Sequence, residues 1–136
     1  MKRLMPLAAV WVCAALGADE PSVVTGVWRA RMEGVPALVI TISEEGGELT
    51  GAILFYLIRH NDGQPPRSSP GDPEPMFNLR FDGKQLDFRV SHRRAHPPGT
   101  AHDPPVSFRL KLTGPDEAVL VREGDPGAGI RAVRDK

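Results

Sequence analysis

The 136-residue sequence predicts an all-β fold, an antiparallel eight-stranded up-and-down barrel with a β-sandwich as the alternative. Three features lead there. Beyond residue 18 the chain consists of short runs in which apolar and polar residues alternate, the period of a strand and not of a helix. Gly, Pro and Asp punctuate those runs. At two of the breaks, Gly46-Gly47 and Asp82-Gly83, pairing the flanking runs across a two-residue loop puts apolar residues on one common face.

The first stretch stands apart from this pattern. Lys2 and Arg3 precede an apolar run from Leu4 to Leu16, and Ala15, Gly17 and Ala18 supply the small residues a signal peptidase needs. Residues 1–18 are expected to be a signal peptide, and residues 19–136 a single antiparallel β-barrel domain exported to the periplasm or the exterior. The apolar run falls short of the roughly 20 residues that cross a bilayer. Cys13, the one cysteine, lies inside it behind Trp11 and Val12, where a lipoprotein would carry a small residue. A domain starting at Asp19 has no thiol and depends on its core alone. Arginine outnumbers lysine and proline is abundant, as in GC-rich bacterial genomes. Without residues 1–18 the chain carries 15 basic and 17 acidic side chains, which leaves no electrostatic footprint for nucleic acid.

Gly26 to Met32 reads as the first strand and Pro36 to Glu44 as the second, with Leu38, Ile40 and Ile42 on one face. Gly46-Gly47 suits a turn in which both central residues need positive φ, and it sets Glu45 against Glu48, Ile42 against Gly51, Ile40 against Ile53 and Leu38 against Phe55. Asp82-Gly83 as a second two-residue loop pairs Leu79 with Leu86 and Phe77 with Phe88, leaving Asn78, Arg80, Asp87 and Arg89 outside. From Val106 to Thr113, Val106, Phe108, Leu110 and Leu112 face in, and Ser107, Arg109 and Lys111 face out. Ala118 to Arg122 and Ile130 to Arg134 complete eight strands. The proline-rich stretches Asn61 to Pro75 and Ala95 to Pro105 are expected to be loops. A charged exterior argues against an outer-membrane barrel. The exception is the strand over residues 49–58, whose outward Ala52, Leu54, Tyr56 and Ile58 are apolar and predict cover by a loop or a partner chain, including a second copy.

Gly26-Val27-Trp28, opening a meander shortly after a signal peptide, resembles the G-x-W motif of lipocalin-like proteins. The resemblance implies a barrel closed at one end by Gly26 and Trp28, with an arginine of the last strand, Arg131 or Arg134, packed across the indole. It also implies a small hydrophobic ligand held inside, against Leu38, Ile40, Ile53, Phe55, Phe77, Leu79, Phe88 and Phe108. The chain is short for that family, lacks the helix after the barrel, and has no T-D-Y motif. A reduced bacterial lipocalin-like protein is the reading. If the rings fill the interior, an interaction module docking through the strand over residues 49–58 takes its place, and a metal-binding protein using the histidine loop over residues 92–103 is the further alternative.

No catalytic motif emerges, and the protein is expected not to be an enzyme. G-x-S-x-G is absent, and Ser91 and His92 point to opposite faces. Glu44-Glu45 and Asp116-Glu117 flank turns, where solvated charge is ordinary. Gly124, Gly127 and Gly129 lack dinucleotide-binding spacing, and no cofactor is implied. His92, His96 and His102 with Asp103 form the one group that suits Zn or Cu, although their loop does not preset ligand geometry; His60 with Asp62 is a lesser one.

Overall fold

The structure, a computed structural model, describes residues 23–91, 104–125 and 127–135. Nine strands follow one another: β1 Gly26–Met32, β2 Val35–Glu45, β3 Glu48–Arg59, β4 Arg67–Pro70, β5 Glu74–Phe81, β6 Gln85–Val90, β7 Val106–Gly114, β8 Glu117–Arg122 and β9 Ile130–Arg134. All but β4 form a closed ring of eight antiparallel strands, β1-β2-β3-β5-β6-β7-β8-β9 and back to β1. The barrel expected from the sequence is therefore present. Its seam is β1, which pairs with β2 on one side and with β9 on the other through Trp28↔Arg134, Arg29↔Val133 and Ala30↔Ala132.

The β2–β3 hairpin has the predicted register, from Glu45↔Glu48 to Leu38↔Phe55, around Gly46 at φ 59° and Gly47 at φ 87°. Only glycine takes two successive positive φ values without strain, so the turn chooses the register and the register chooses the inner face. Gly51 serves a different need. A β-carbon there would stand 2.7 Å from the Thr41 carbonyl oxygen and 2.9 Å from the Met76 sulfur, so glycine lets β3 pass close to both neighbours.

Between β5 and β6 the structure departs from expectation. The loop is Gly83-Lys84: the Asp82 amide donates to the Gln85 carbonyl at 3.2 Å, and the Asp82 carboxylate accepts the amides of Lys84 and Gln85, each at 2.9 Å. Phe81 consequently faces Leu86, two places from the predicted pairing, and a bulge between Phe77 and Arg80, with Asn78 at φ 55°, takes back one place. The net shift is odd, which inverts the face. Met76 opposite Val90 is buried, whereas Phe77 opposite Arg89 lies outside beneath the Arg89 guanidinium, 5.9 Å from its ring centre. Phe77 is thus no interior residue.

The stretch 61–75 is not wholly loop. Arg67–Pro70 pairs with Tyr56–Arg59 as β4, and Glu74 and Pro75 begin β5. An edge strand needs partners on one side only, which makes proline tolerable there. Inside the ring, Trp28, Phe88, Leu38, Ile40, Ile42, Ile53, Leu86 and Leu110 are fully buried, and no polar residue among those described is buried with them. Alternation of chain direction gathers Gly26, Arg134 and the turns at 45–48, 82–85 and 114–117 at one end. The turn at 32–35, the connection from β3 to β5 and that from β8 to β9 occupy the other.

The two amide bonds, from Lys84 first and Gln85 next, hold the Asp82 carboxyl below its ordinary value. A carboxyl with a depressed folded-state pKa stabilises the fold above its unfolded value of about 4 and ceases to do so as pH falls through the folded one. Asp82→Ala should therefore lower the urea midpoint at neutral pH. The gap from wild type should close in acid, as parallel melts over a pH series would show.

Candidate functional site

At the end where β1 begins, Trp28 is fully buried and its indole N–H donates to the Val24 carbonyl at 2.9 Å, so the chain before β1 folds under the barrel. Arg134 lies directly opposite Trp28 in the β1–β9 register, with its guanidinium carbon 5.1 Å from the centre of the indole ring. Its nitrogens reach four acceptors: Nε donates to Asp116 Oδ1 at 3.0 Å, Nη1 to the carbonyls of Val23 at 2.8 Å and Thr25 at 3.0 Å, and Nη2 to that of Pro115 at 2.7 Å. One side chain thus ties the N-terminal segment, the indole and the β7–β8 turn together. Gly26 makes room for it. At φ 123° the residue has a backbone that side chains disfavour, and a β-carbon would come within 3.2 Å of Arg134 Cδ.

Arg131, the alternative arginine, is three places from Arg134, an odd separation that sends it to the opposite face of the strand. It is exposed and bonds Glu117 at 2.7 Å on the outer wall, so it closes nothing. Arg29 does likewise with Asp135 at 2.6 Å, a contact that raises its pKa through the hydrogen bond first and the charge second.

Of the residues expected to line the interior, Leu38, Ile40, Ile53 and Phe88 are fully buried in the core cluster. Phe55, Leu79 and Phe108 are half-buried and pack on that core. The rings of Phe55 on β3 and Phe108 on β7, from well-separated strands of the ring, meet at 5.9 Å, and Phe108 stacks on Phe88 at 5.6 Å. This aromatic bridge crosses the lumen. Sequence reading missed Met76, Val90 and Val24: the β5 bulge hid Met76, Val90 continues the inward row of Leu86 and Phe88 and was legible by alternation, and Val24 precedes any strand signal.

Beyond the bridge lies the mouth. Met32 and Leu57 continue the inward rows of Ala30 and Phe55 by strand alternation. They are 42% and 56% exposed, two of the three exposed large apolar side chains among the described residues. Phe55, Phe108 and Ile130, half-buried and packed on the core, belong to the same half of the ring by strand direction. What this arrangement offers is apolar contact with water at the end of the barrel opposite the Trp28–Arg134 closure.

Elsewhere the charged candidates have structural partners. Asp116 is engaged by Arg134 and Glu117 by Arg131. His60 Nε2 lies 2.8 Å from both carboxylate oxygens of Glu33, linking the β1–β2 turn to the end of β3. Among the described residues no three His, Cys, Asp or Glu side chains gather as a metal would require. His92, His96, His102 and Asp103, like the expected signal segment and Cys13, lie outside the described residues. No helix among the described residues is long and apolar enough to cross a membrane.

The fold and its closed end together define a sealed antiparallel barrel stoppered by a tryptophan and clamped by an arginine. Comparison with protein-family models, with characterised proteins and with solved structures returns no match.

Removing the Arg134 guanidinium leaves four acceptors short of their donor and frees the indole face. Arg134→Leu should cost about 3 kcal/mol in denaturant unfolding, and Arg134→Lys nearly as much because an ammonium cannot reproduce the planar fork. Arg131→Leu should change stability by no more than about 1 kcal/mol.

Proposed function

We propose that this is an exported, non-enzymatic binding protein of lipocalin-like build that takes a small hydrophobic ligand at the mouth of the barrel. The observation that carries the reading is the pair of exposed apolar side chains, Met32 and Leu57, at the end of the ring opposite the Trp28–Arg134 closure, where strand order also brings the half-buried Phe55 and Phe108. Exposed apolar side chains gathered at one end of a barrel mark binding sites more often than chance surface. The aromatic bridge limits the ligand to a shallow seat, which favours a short chain or a single ring over a long lipid. The Trp28–Arg134 pair, the Gly26 backbone and the eight-strand closure support the family likeness. An exterior carrying Arg29, Arg80, Asp87, Arg109 and Arg131 suits water and not a bilayer.

Titration with an environment-sensitive fluorescent fatty-acid analogue, together with native mass spectrometry of protein from its host, tests this. Saturable binding weakened about tenfold or more by Leu57→Asp is expected. Phe108→Ala, which shortens the bridge, should admit a longer chain. Absence of both a copurifying lipophile and probe binding would end the proposal.

A second reading draws on the outer wall. Leu54, Tyr56 and Ile58 are half-buried and apolar beside β4, and the β2–β3 register sets Val39 next to Leu54. This strip suits an interaction module docking a protein partner or a second copy. Light scattering decides it: a concentration-dependent dimer that Tyr56→Asp converts to monomer is the expected sign, and a strict monomer counts against a second copy.

A further inference from the structure

The outer wall over β5 to β8 gathers four cations around one carboxylate. Arg80 stands opposite Asp87, and Asp87 opposite Arg109, in one row across three strands. Arg89 and Lys111 occupy the next outward positions along β6 and β7. Side chains two apart on a strand share a face and lie about 7 Å from one another, so these cations surround a single carboxylate. With Glu123 at the border, they line a groove of about 480 Å³ in which four basic groups meet two acidic ones. One close ion pair forms there, Arg109 Nε to Asp87 Oδ1 at 2.8 Å. By contrast, Arg29 and Arg131 on the neighbouring wall each have a carboxylate of their own, Asp135 and Glu117.

Arg89 adds a second observation. Its guanidinium is packed over the Phe77 ring, and its Nε is buried without a hydrogen-bond partner. A cation fixed by an aromatic face loses little freedom when it binds, and a group short of one partner is poorly satisfied as it stands. Both follow from the β5 bulge, which turned Phe77 outward beneath it. Ser107 and Asn78 line the same groove and can donate uncharged hydrogen bonds.

We propose that this groove is a binding site for a tetrahedral oxyanion, phosphate or sulfate, taken either as the free ion or as an ester on a small molecule. Guanidinium forks complement such oxygens in two-point contacts, and crowded cations are relieved when an anion enters among them. The near-neutral chain as a whole has no general affinity for polyanions, so the attraction is local to the groove.

The full chain is titrated at low ionic strength with inorganic phosphate, sulfate and glucose 6-phosphate, using chloride as the reference, and followed by calorimetry and backbone-amide NMR. Saturable one-to-one binding is expected, with amide shifts confined to the strands bearing Arg80, Arg89 and Arg109. Arg89→Gln should weaken it about tenfold or more, and Arg29→Gln, on the other side of the wall, should leave it unchanged. Asp87→Asn should tighten it about threefold or more, a gain that partial unfolding cannot imitate. Tighter binding of the sugar ester than of inorganic phosphate assigns the site to an esterified ligand, and the reverse to the free ion. Non-saturable shifts matched by chloride, equal loss in Arg29→Gln, or no gain in Asp87→Asn would overturn the proposal. Leu57→Asp, at the mouth, should not alter it, which separates this site from the proposed apolar seat.

Discussion

A sheet that buries one face must either cover its two edges or join them, and here everything rests on joining. β1 is the strand that does so, hydrogen-bonded to β2 on one side and to β9 on the other. The pairing brings residue 28 beside residue 134, and these two side chains stopper the barrel: the indole fills the end and the guanidinium fastens it to the chain before β1 and to the β7–β8 turn. Without that junction the apolar rows of β2, β3, β6 and β7 would border on water.

Closure with eight strands also sets the width of the lumen, which side chains of ordinary size can span. Phe55, Phe88 and Phe108 do span it, and the chemistry available to the protein follows from that. An occupied centre leaves two regions where a molecule can meet this protein. One is the mouth, where the wall ends before its apolar rows do. The other is the outer wall, where side chains of alternate parity are free to differ from the core.

On that outer wall the arginines divide by partner. Arg29 of β1 and Arg131 of β9 each pair with a single carboxylate and act as ties, of the exposed kind that contributes little to stability. Those of β5 to β7 crowd around Asp87, and an aromatic ring that the β5 bulge turned outward holds one of them in place. A local irregularity in strand pairing thereby alters both faces at once: Met76 enters the core and Phe77 leaves it.

Much of this architecture is legible without coordinates. Strand period is a local property, so the inward and outward sets of β2, β3 and β7 can be read directly, and two glycines with positive φ fix the β2–β3 register to the residue. The closed end at Gly26 and Trp28 was expected only through the resemblance of Gly26-Val27-Trp28 to the G-x-W motif. What no local pattern contains is the partner across the seam. Arg131 and Arg134 look alike in sequence, and only the β1–β9 pairing puts one against the indole and the other in water. The Asp82 carboxylate moved the β5–β6 loop by bonding amides two and three places on, and the compensating bulge exchanged Phe77 for Met76. β4 formed from a proline-rich segment because β3 outruns β5 and offered it an edge. The sequence by itself determined the eight strands of the ring, the faces of β2, β3 and β7, and one hairpin, because those depend on neighbours along the chain. Tertiary structure alone decided the clamp, the bulge, the aromatic bridge and the crowded arginines, because those depend on which distant residues the closing of the ring brings together.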